Sequence, residues 1–414
     1  MLGMAQWQSA LAVICIVVGL GVVVSKLTER PRIPDVAAFL VLGIILGPSV
    51  LHIVHTSSQS SVNQFIIYLG ATLILFDGGR SVRFDVLRQV YISISLLVTV
   101  GVVVSACIVG VGVHLLLHQS WIWSLLLASI LASTDPATLI PVFKRVPIVE
   151  RLQQTMETES AFNDATASVL VLTLMSTVLT GSNLSIGPAV GTFFQQSLVG
   201  LAVGAVLGMV GLWLISPKAW GVLHDFSSIV MIVLAITSYV ISAHLGASGF
   251  MAAFAAGVIV GNAESFGWEL PERTAMHLDH AGNLMTTIMR ILIFVFLGTQ
   301  VDFTVVYHDL WIGLALVGIL MFVARPLSVL STVVEDRKAR WQWREIVFMM
   351  WVRETGVIPA ALASTAVADH VSGADIIMAV TFLAILGTIL VQATTTGTVA
   401  KRLSLARESA EWDL

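Results

Sequence analysis

The sequence predicts an all-helical protein that crosses a membrane about thirteen times, and three observations carry that expectation. Only 11% of its 414 residues are charged and 57% are hydrophobic, whereas a soluble domain needs about 25% charged residues to cover its surface. Apolar runs of roughly 20 residues recur along the chain, each long enough for a hydrocarbon core of about 30 Å. Evenly spaced ten-residue segments of alternating polarity, the mark of an outer-membrane barrel, are absent.

The spans expected in order are 8–26, 34–51, 64–80, 90–117, 121–143, 155–180, 190–215, 225–244, 247–262, 277–301, 309–332, 344–367 and 374–400. The first, from Gln8 to Ser25, has no basic residue before it and is followed by Lys26, Arg30 and Arg32. A cleavable signal peptide has the reverse charge order, so this run reads as a retained helix with its N-terminus outside. Alternate loops then divide by charge. Those expected inside carry Arg80, Arg83 and Arg88, then Lys144, Arg145 and Arg151, Lys218, Arg273, Arg337 to Arg344, and Lys401 to Arg407. The segments 52–63, 181–189, 302–308 and 368–373 carry no lysine or arginine. A wrong helix count would scramble this alternation, which supports the count and places the C-terminus and a short tail, 401–414, inside.

The net charge of −4 and the lack of a basic block leave no reason to expect a nucleic-acid partner. Cys15 and Cys107 lie within apolar runs, where they read as small packing residues. Gly200, Gly204 and Gly208 form a stripe of small residues suited to close helix contact in the seventh span.

Two spans are interrupted in a matching way. The fifth breaks at Ser133-Thr134-Asp135-Pro136, with Pro141 beyond; the twelfth breaks at Arg353-Glu354-Thr355-Gly356, with Pro359 beyond. With the seventh span (190–215) as a linker, these are the fifth helices of two six-helix halves, 8–180 and 225–400, inverted relative to one another. Paired broken helices in inverted halves point to the site of a secondary transporter, because proline frees carbonyls that can ligate an ion where they line a cavity. The alternative is that Pro and Gly only kink two helices; the ionisable residues in each break argue against it.

Ionisable groups at membrane depth are costly and therefore functional candidates. Here they are Asp77, Asp135, Glu157, Glu159, Asp164, Arg353 and Glu354. At 100° per residue, Ser160 and Asp164 lie within about 40° of each other on the sixth span, and Glu159 and Asn163 share a neighbouring sector. One face can thus show a hydroxyl and a carboxylate to an ion while Glu159 turns to a partner helix. Either Glu159 or the adjacent Glu354 could neutralise Arg353, since a lone buried charge would be untenable. Asp164, Asp135, Ser160 and Thr134 make an oxygen-only set suited to a small hard cation, with no His/Cys grouping at transition-metal spacing. Glu157, close to the inner end of its helix, reads as a solvated or funnel-lining charge.

The runs Ser133-Thr134-Asp135-Pro136 and Glu159-Ser160-Ala161-Phe162-Asn163-Asp164-Ala165 resemble the monovalent cation/proton antiporters, in the branch of bacterial NhaP proteins and animal sodium/proton exchangers. Phe76-Asp77-Gly78-Gly79 and Arg325-Pro326-Leu327-Ser328-Val329 are similar to two further elements of that branch. The resemblance covers essentially the whole membrane region. It implies a core domain and a dimer-forming domain, hence a homodimer, and fifth and twelfth helices unwound and crossing near the ion. It implies Asp164 as the carboxylate shared by cation and proton, Asp135, Ser160 and Thr134 as neighbouring ligands, and Asp77 as an outer contributor. Asn163 would stabilise the crossing and Glu159 would pair with Arg353. An Asn-Asp pair is similar to the electroneutral exchangers. One departure stands out: the family commonly places its arginine four residues before the proline, whereas Arg353 is six before Pro359.

Arg325, near the inner end of its span, is expected to snorkel to the interface. Arg290 sits deeper and needs an acidic partner that the sequence does not name. The expected function is exchange of a monovalent cation, Na⁺ first and K⁺ or Li⁺ as alternatives, for H⁺ in pH homeostasis. No cofactor is called for, and the absence of an organellar presequence fits a bacterial inner membrane. A passive cation channel would also place acids at mid-depth. An aspartyl protease dyad of Asp135 and Asp164 would resemble a Gly-x-Gly-Asp setting, which neither residue has.

Overall fold

A computed structural model describes residues 6–28, 34–54, 60–134, 143, 148–181 and 186–406. The described elements are helices: α1 (Gln6–Thr28), α2 (Asp35–Leu46), α3 (Ser61–Ser81), α4 (Phe84–Leu117), α5 (Trp121–Ala132), α6 (Glu150–Thr180), α7 (Ile186–Ile215), α8 (Ser227–His244), α9 (Gly249–Gly261), α10 (Glu272–Gln300), α11 (Leu310–Val333), α12 (Trp343–Trp351), α13 (Val357–Ala368) and α14 (Ala374–Arg402). Among the described residues nine helices are long and apolar enough to cross a membrane, and α2, α5, α9 and α13 are shorter apolar helices. Exposed Leu115, Val206, Ile229 and Phe322 leave an apolar exterior, the inverse of a water-soluble surface and the expected coat of a multi-pass membrane protein.

The helices pack as two bundles. One holds α1, α2, α3, α7, α8, α9 and α10; the other holds α4, α5, α6 and α11 to α14. They meet where α6 and α13 lie against α3, α9 and α10. The first bundle is drawn together by small residues. A side-chain carbon on Gly204 would sit 2.1 Å from the Ala252 carbonyl oxygen, and one on Gly257 would sit 2.0 Å from that of Phe76. Gly200 and Gly208 approach α9 in the same way, so the stripe in the seventh span is a packing seam.

The second bundle carries the irregular backbone. Single π-helical turns interrupt α4 at Leu97–Gly101, α11 at Leu320–Ala324 and α14 at Ile389–Ala393. Such turns leave carbonyls without their usual partner, and the Ser328 hydroxyl donates to the Gly101 carbonyl at 3.0 Å. The twelfth span is broken into α12 and α13, with Val352 extended and residues 352–356 outside any helix. In the fifth span α5 ends at Ala132 and Ser133 turns to extended backbone. The rest of that span, including Asp135, Pro136 and Pro141, lies outside the described residues.

At the basic end of the bundles the loop 334–342 is fastened down. Asp336 accepts hydrogen bonds from the Ser93 amide (3.0 Å) and hydroxyl (2.6 Å) and from the amides of Lys338 and Ala339, both 3.1 Å. Burial works against its charge, but these bonds together hold its carboxyl below the usual carboxylate range. Arg151 pairs with Glu345 at 2.9 Å and lies over the Trp341 ring.

Candidate ion-binding site

The site grows from the ends of broken helices. An α-helix leaves its last carbonyls unpaired and its C-terminus partly negative, which inside a membrane demands a donor. At the end of α5 that donor is Arg353, whose Nη2 gives hydrogen bonds to the Leu131 and Ala132 carbonyls at 3.0 and 2.7 Å. At the end of α12 it is Arg325: Nε donates to Met349 at 2.8 Å and Nη2 to Val352 at 3.3 Å. Gln392 of α14 adds a bond to the Trp351 carbonyl at 2.6 Å. Each break is therefore closed by a guanidinium, and Arg353, itself in the twelfth-span break, joins that break to the fifth.

Against these breaks lies α6, which presents Glu159, Ser160, Asn163 and Asp164, all buried. Asp164 is 3% exposed and its Oδ1 accepts a hydrogen bond from the Ser133 hydroxyl. One residue on, the Thr134 Oγ1 accepts from the Ser160 hydroxyl at 2.8 Å and from Asn163 Nδ2 at 3.4 Å. Asn163 also donates to Glu159 Oε1 at 3.3 Å. Glu159 in turn forms a two-pronged ion pair with Arg325, Nη1 to Oε1 and Nη2 to Oε2, the latter at 3.0 Å.

The expected pairing of Glu159 with Arg353 is therefore replaced by pairing with Arg325, and Arg325 does not snorkel, since it is 4% exposed. The reason is geometric. Arg325 begins the segment after the π-turn of α11 and lies against both α6 and the end of α12, so one guanidinium can serve a carboxylate and two carbonyls. Arg353 spends its bonds on the carbonyls of α5 instead. Glu354 is fully buried in the same break. Thr355 anchors the break by donating its amide to Thr388 Oγ1 at 3.2 Å.

The structure thus joins Ser160, Thr134, Asn163 and Glu159 in one hydrogen-bonded chain and ties Asp164 to Ser133, the residue before Thr134. Asp135 lies outside the described residues. Asp77 is held elsewhere, on α3 of the other bundle, by Arg80 and by Thr286, whose hydroxyl donates to Oδ2 at 3.2 Å. Two participants were not singled out from the sequence. Ser133 stood inside the quoted break and had only its hydroxyl to recommend it. Arg325 stood inside a motif but read as interfacial. Arg290 finds its acid in Asp35 at 3.1 Å, 255 residues earlier in the chain.

A cavity of about 680 Å³ opens at the basic end between the two bundles. Its walls include Arg80 of α3, Asp85 of α4, Glu150 and Glu157 of α6, Glu264, and Asp279 of α10. Acidic side chains predominate there, so the field in this funnel favours cations. Glu157 lines it, as expected for a funnel charge.

A family model described as "Sodium/hydrogen exchanger, transmembrane" matches residues 11–402. The chain is 28% identical over 346 residues to the K(+)/H(+) antiporter NhaP of Alkalimonas amylolytica, which covers 83% of this chain and 58% of that protein. It is 28% identical over 396 residues to the K(+)/H(+) antiporter NhaP2 of Shewanella oneidensis, covering 92% and 64%. It is also 28% identical over 369 residues to Na(+)/H(+) antiporter 1 of Methanocaldococcus jannaschii, covering 86% and 83%. The chain therefore spans about three-fifths of the length of the two potassium/proton relatives. The structure of the sodium proton antiporter MjNhaP1 from Methanocaldococcus jannaschii at pH 8 has the same fold, with a TM-score of 0.86 at 24% identity over 96% of this chain and 99% of that one. With its broken helices, its buried α6 cluster and a family match that runs almost the whole length of both bundles, the chain belongs to the transmembrane sodium/hydrogen exchanger family.

Proposed function

We propose that the chain exchanges a monovalent cation for protons across a membrane, with both ions competing for Asp164. The observation that carries this reading is the buried Asp164 carboxylate at the broken end of α5, met there by the Ser133 hydroxyl. A hydroxyl can donate to the carboxylate when it is empty and turn its lone pairs to a cation when one is bound. Ser160 and Thr134 add further oxygens beside it, and we assign Asp135 and Asp77 to the same ion path. Asn163 and Glu159 tie α6 to the break and to Arg325, and Arg353 ties the two breaks together, as positioning groups; Glu354 lies in the same break. One carboxylate holding a proton or a cation, never both, couples the two fluxes. With Asn163 beside Asp164 the exchange is one for one and electroneutral.

The names of the relatives support both Na⁺ and K⁺ as substrate, and Li⁺ fits the same oxygen set. We take 8–180 and 225–400 as inverted halves, with α7 as the link between them. The second bundle moves past the first, which forms the contact with a second copy of the chain in a homodimer. The charge alternation supports a bacterial inner membrane with the N-terminus outside, so that the acidic cavity opens to the cytoplasm.

The test is proton flux in proteoliposomes loaded with a pH dye, with Na⁺, K⁺ or Li⁺ added in turn and the voltage clamped. Cation-dependent proton movement that ignores voltage and vanishes in Asp164→Asn is the expected result. Cation conduction without proton movement would replace exchange with a channel, and voltage-driven exchange would overturn electroneutrality.

A further inference from the structure

Beside the cavity, the Phe76-Asp77-Gly78-Gly79 element of α3 continues directly into Arg80. Residues three apart on a helix share a face, and Arg80 folds back onto Asp77: Nη2 and Nε reach Oδ1 at 2.9 and 3.2 Å. Its Nη1 donates to Asp279 of α10. One guanidinium thus bridges two carboxylates of the first bundle. The packing is shaped for it. A side-chain carbon on Gly282 of α10 would sit 2.2 Å from Asp77 Oδ1 and 3.0 Å from Arg80 Nη2. Arg80 and Asp279 line the cavity that opens at the basic end, and Asp77 lies one turn deeper. A side-chain carbon on the next residue, Gly78, would sit 3.7 Å from the Ala161 side chain of α6, next to Ser160 of the site. Arg80 and Asp77 therefore sit where α3 packs on α6, at the wall of a cavity that α6 itself lines through Glu150 and Glu157.

We propose that Arg80 is a tethered competitor that occupies the Asp77 and Asp279 carboxylates on the cavity side, so that a monovalent cation entering from the cavity binds these carboxylates only by displacing its guanidinium. An arginine side chain keeps its charge at every working pH, so this competition does not lapse with pH. It lowers cation affinity on the cavity side alone and prevents the funnel acids from trapping a cation on its way. The inference rests on the exchange reading for its kinetic form, because only a transported ion gives a KM.

The test compares wild type with Arg80→Gln in right-side-out and inverted membrane vesicles. The expected result is a cation KM about tenfold lower on the cavity side, the size set by one charge-assisted hydrogen bond, with KM on the opposite side unchanged. The gain should disappear when Asp77→Asn is added. An unchanged cavity-side KM, an equal fall on both sides, or a gain that survives Asp77→Asn would overturn the proposal. If Arg80→Gln does not fold, Arg80→Lys, which keeps the charge but cannot bridge both carboxylates, should lower KM about threefold; no change overturns the proposal. Binding of radiolabelled sodium or rubidium to the purified protein separates the two readings. Wild type that binds the cation but moves no protons defeats exchange and leaves Arg80 to be judged by tighter binding in Arg80→Gln. Binding unchanged by the substitution, or absent from both proteins, defeats the role of Arg80.

Discussion

Glu159 and Asp164 lie five residues apart on α6, and each is 3% exposed, yet their surroundings give them different work. Glu159 is gripped by both arms of Arg325. Asp164 meets the hydroxyl of Ser133. A carboxylate locked to a guanidinium is compensated in every state and serves to hold elements together. A carboxylate met by a hydroxyl can change partner, which is what an ion site requires. With Asp164 taken as the exchanging carboxylate, as we propose, burial alone does not mark the working acid among several in a membrane; the kind of partner does.

The sharpest way to break this comparison is to neutralise each acid in turn. Asp164→Asn should remove cation-dependent proton flux altogether while the purified protein keeps its thermal unfolding midpoint. Glu159→Gln should do the reverse in kind: it leaves Arg325 buried with half its partners gone, a loss of about 3–5 kcal/mol, seen as a large drop in that midpoint. If the two variants behave alike, the distinction between holding and working acids fails.

A double substitution sharpens the second half of the comparison. Glu159→Gln with Arg325→Met removes both charges, so its unfolding midpoint should recover much of what Glu159→Gln loses, because the cost lies in the unpaired charge rather than in the missing pair. A double variant less stable than either single one would mean that the capping of Met349 and Val352 by Arg325 outweighs its pairing with Glu159.

Smaller effects are expected of neutral donors. Ser133→Ala should raise the cation KM by about fivefold, the equivalent of ~1 kcal/mol for one lost hydrogen bond, while leaving the unfolding midpoint nearly unchanged. An unaltered KM would remove Ser133 from the ion path.

The smallest effect is in the basic-end loop, away from both acids. The Asp336 carboxyl lies below its ordinary value in the folded protein. Its contribution to stability is therefore complete above the unfolded carboxylate value near pH 4 and is lost as pH falls through the lower folded value. Asp336→Asn should lower the unfolding midpoint at neutral pH, by the equivalent of less than about 1 kcal/mol. It should also flatten the acid limb of the stability profile, and an acid limb identical to wild type would rule that assignment out.

Much of this was legible in the sequence. The spans followed from apolar length and the alternation of Lys and Arg, and the twelfth-span break followed from Arg353-Glu354-Thr355-Gly356 before Pro359. Ser160 and Asp164 followed from helical spacing on α6. Misreadings came where a residue had to choose between partners far apart in the chain. Arg325 looked interfacial from its place in the span, yet it is buried against Glu159, 166 residues earlier. Arg353 looked like the partner of Glu159, yet it closes the carbonyls of Leu131 and Ala132.

The sequence by itself determined that the chain is a helical membrane protein, that the fifth and twelfth spans break, and which acids lie within its spans, because hydrocarbon thickness and backbone hydrogen bonding act locally along the chain. The tertiary structure alone decided which guanidinium each buried acid and each broken helix end would take. Each arginine can reach several acceptors, and the choice among them depends on how α6, α11 and the two breaks pack, which spacing along the chain does not encode.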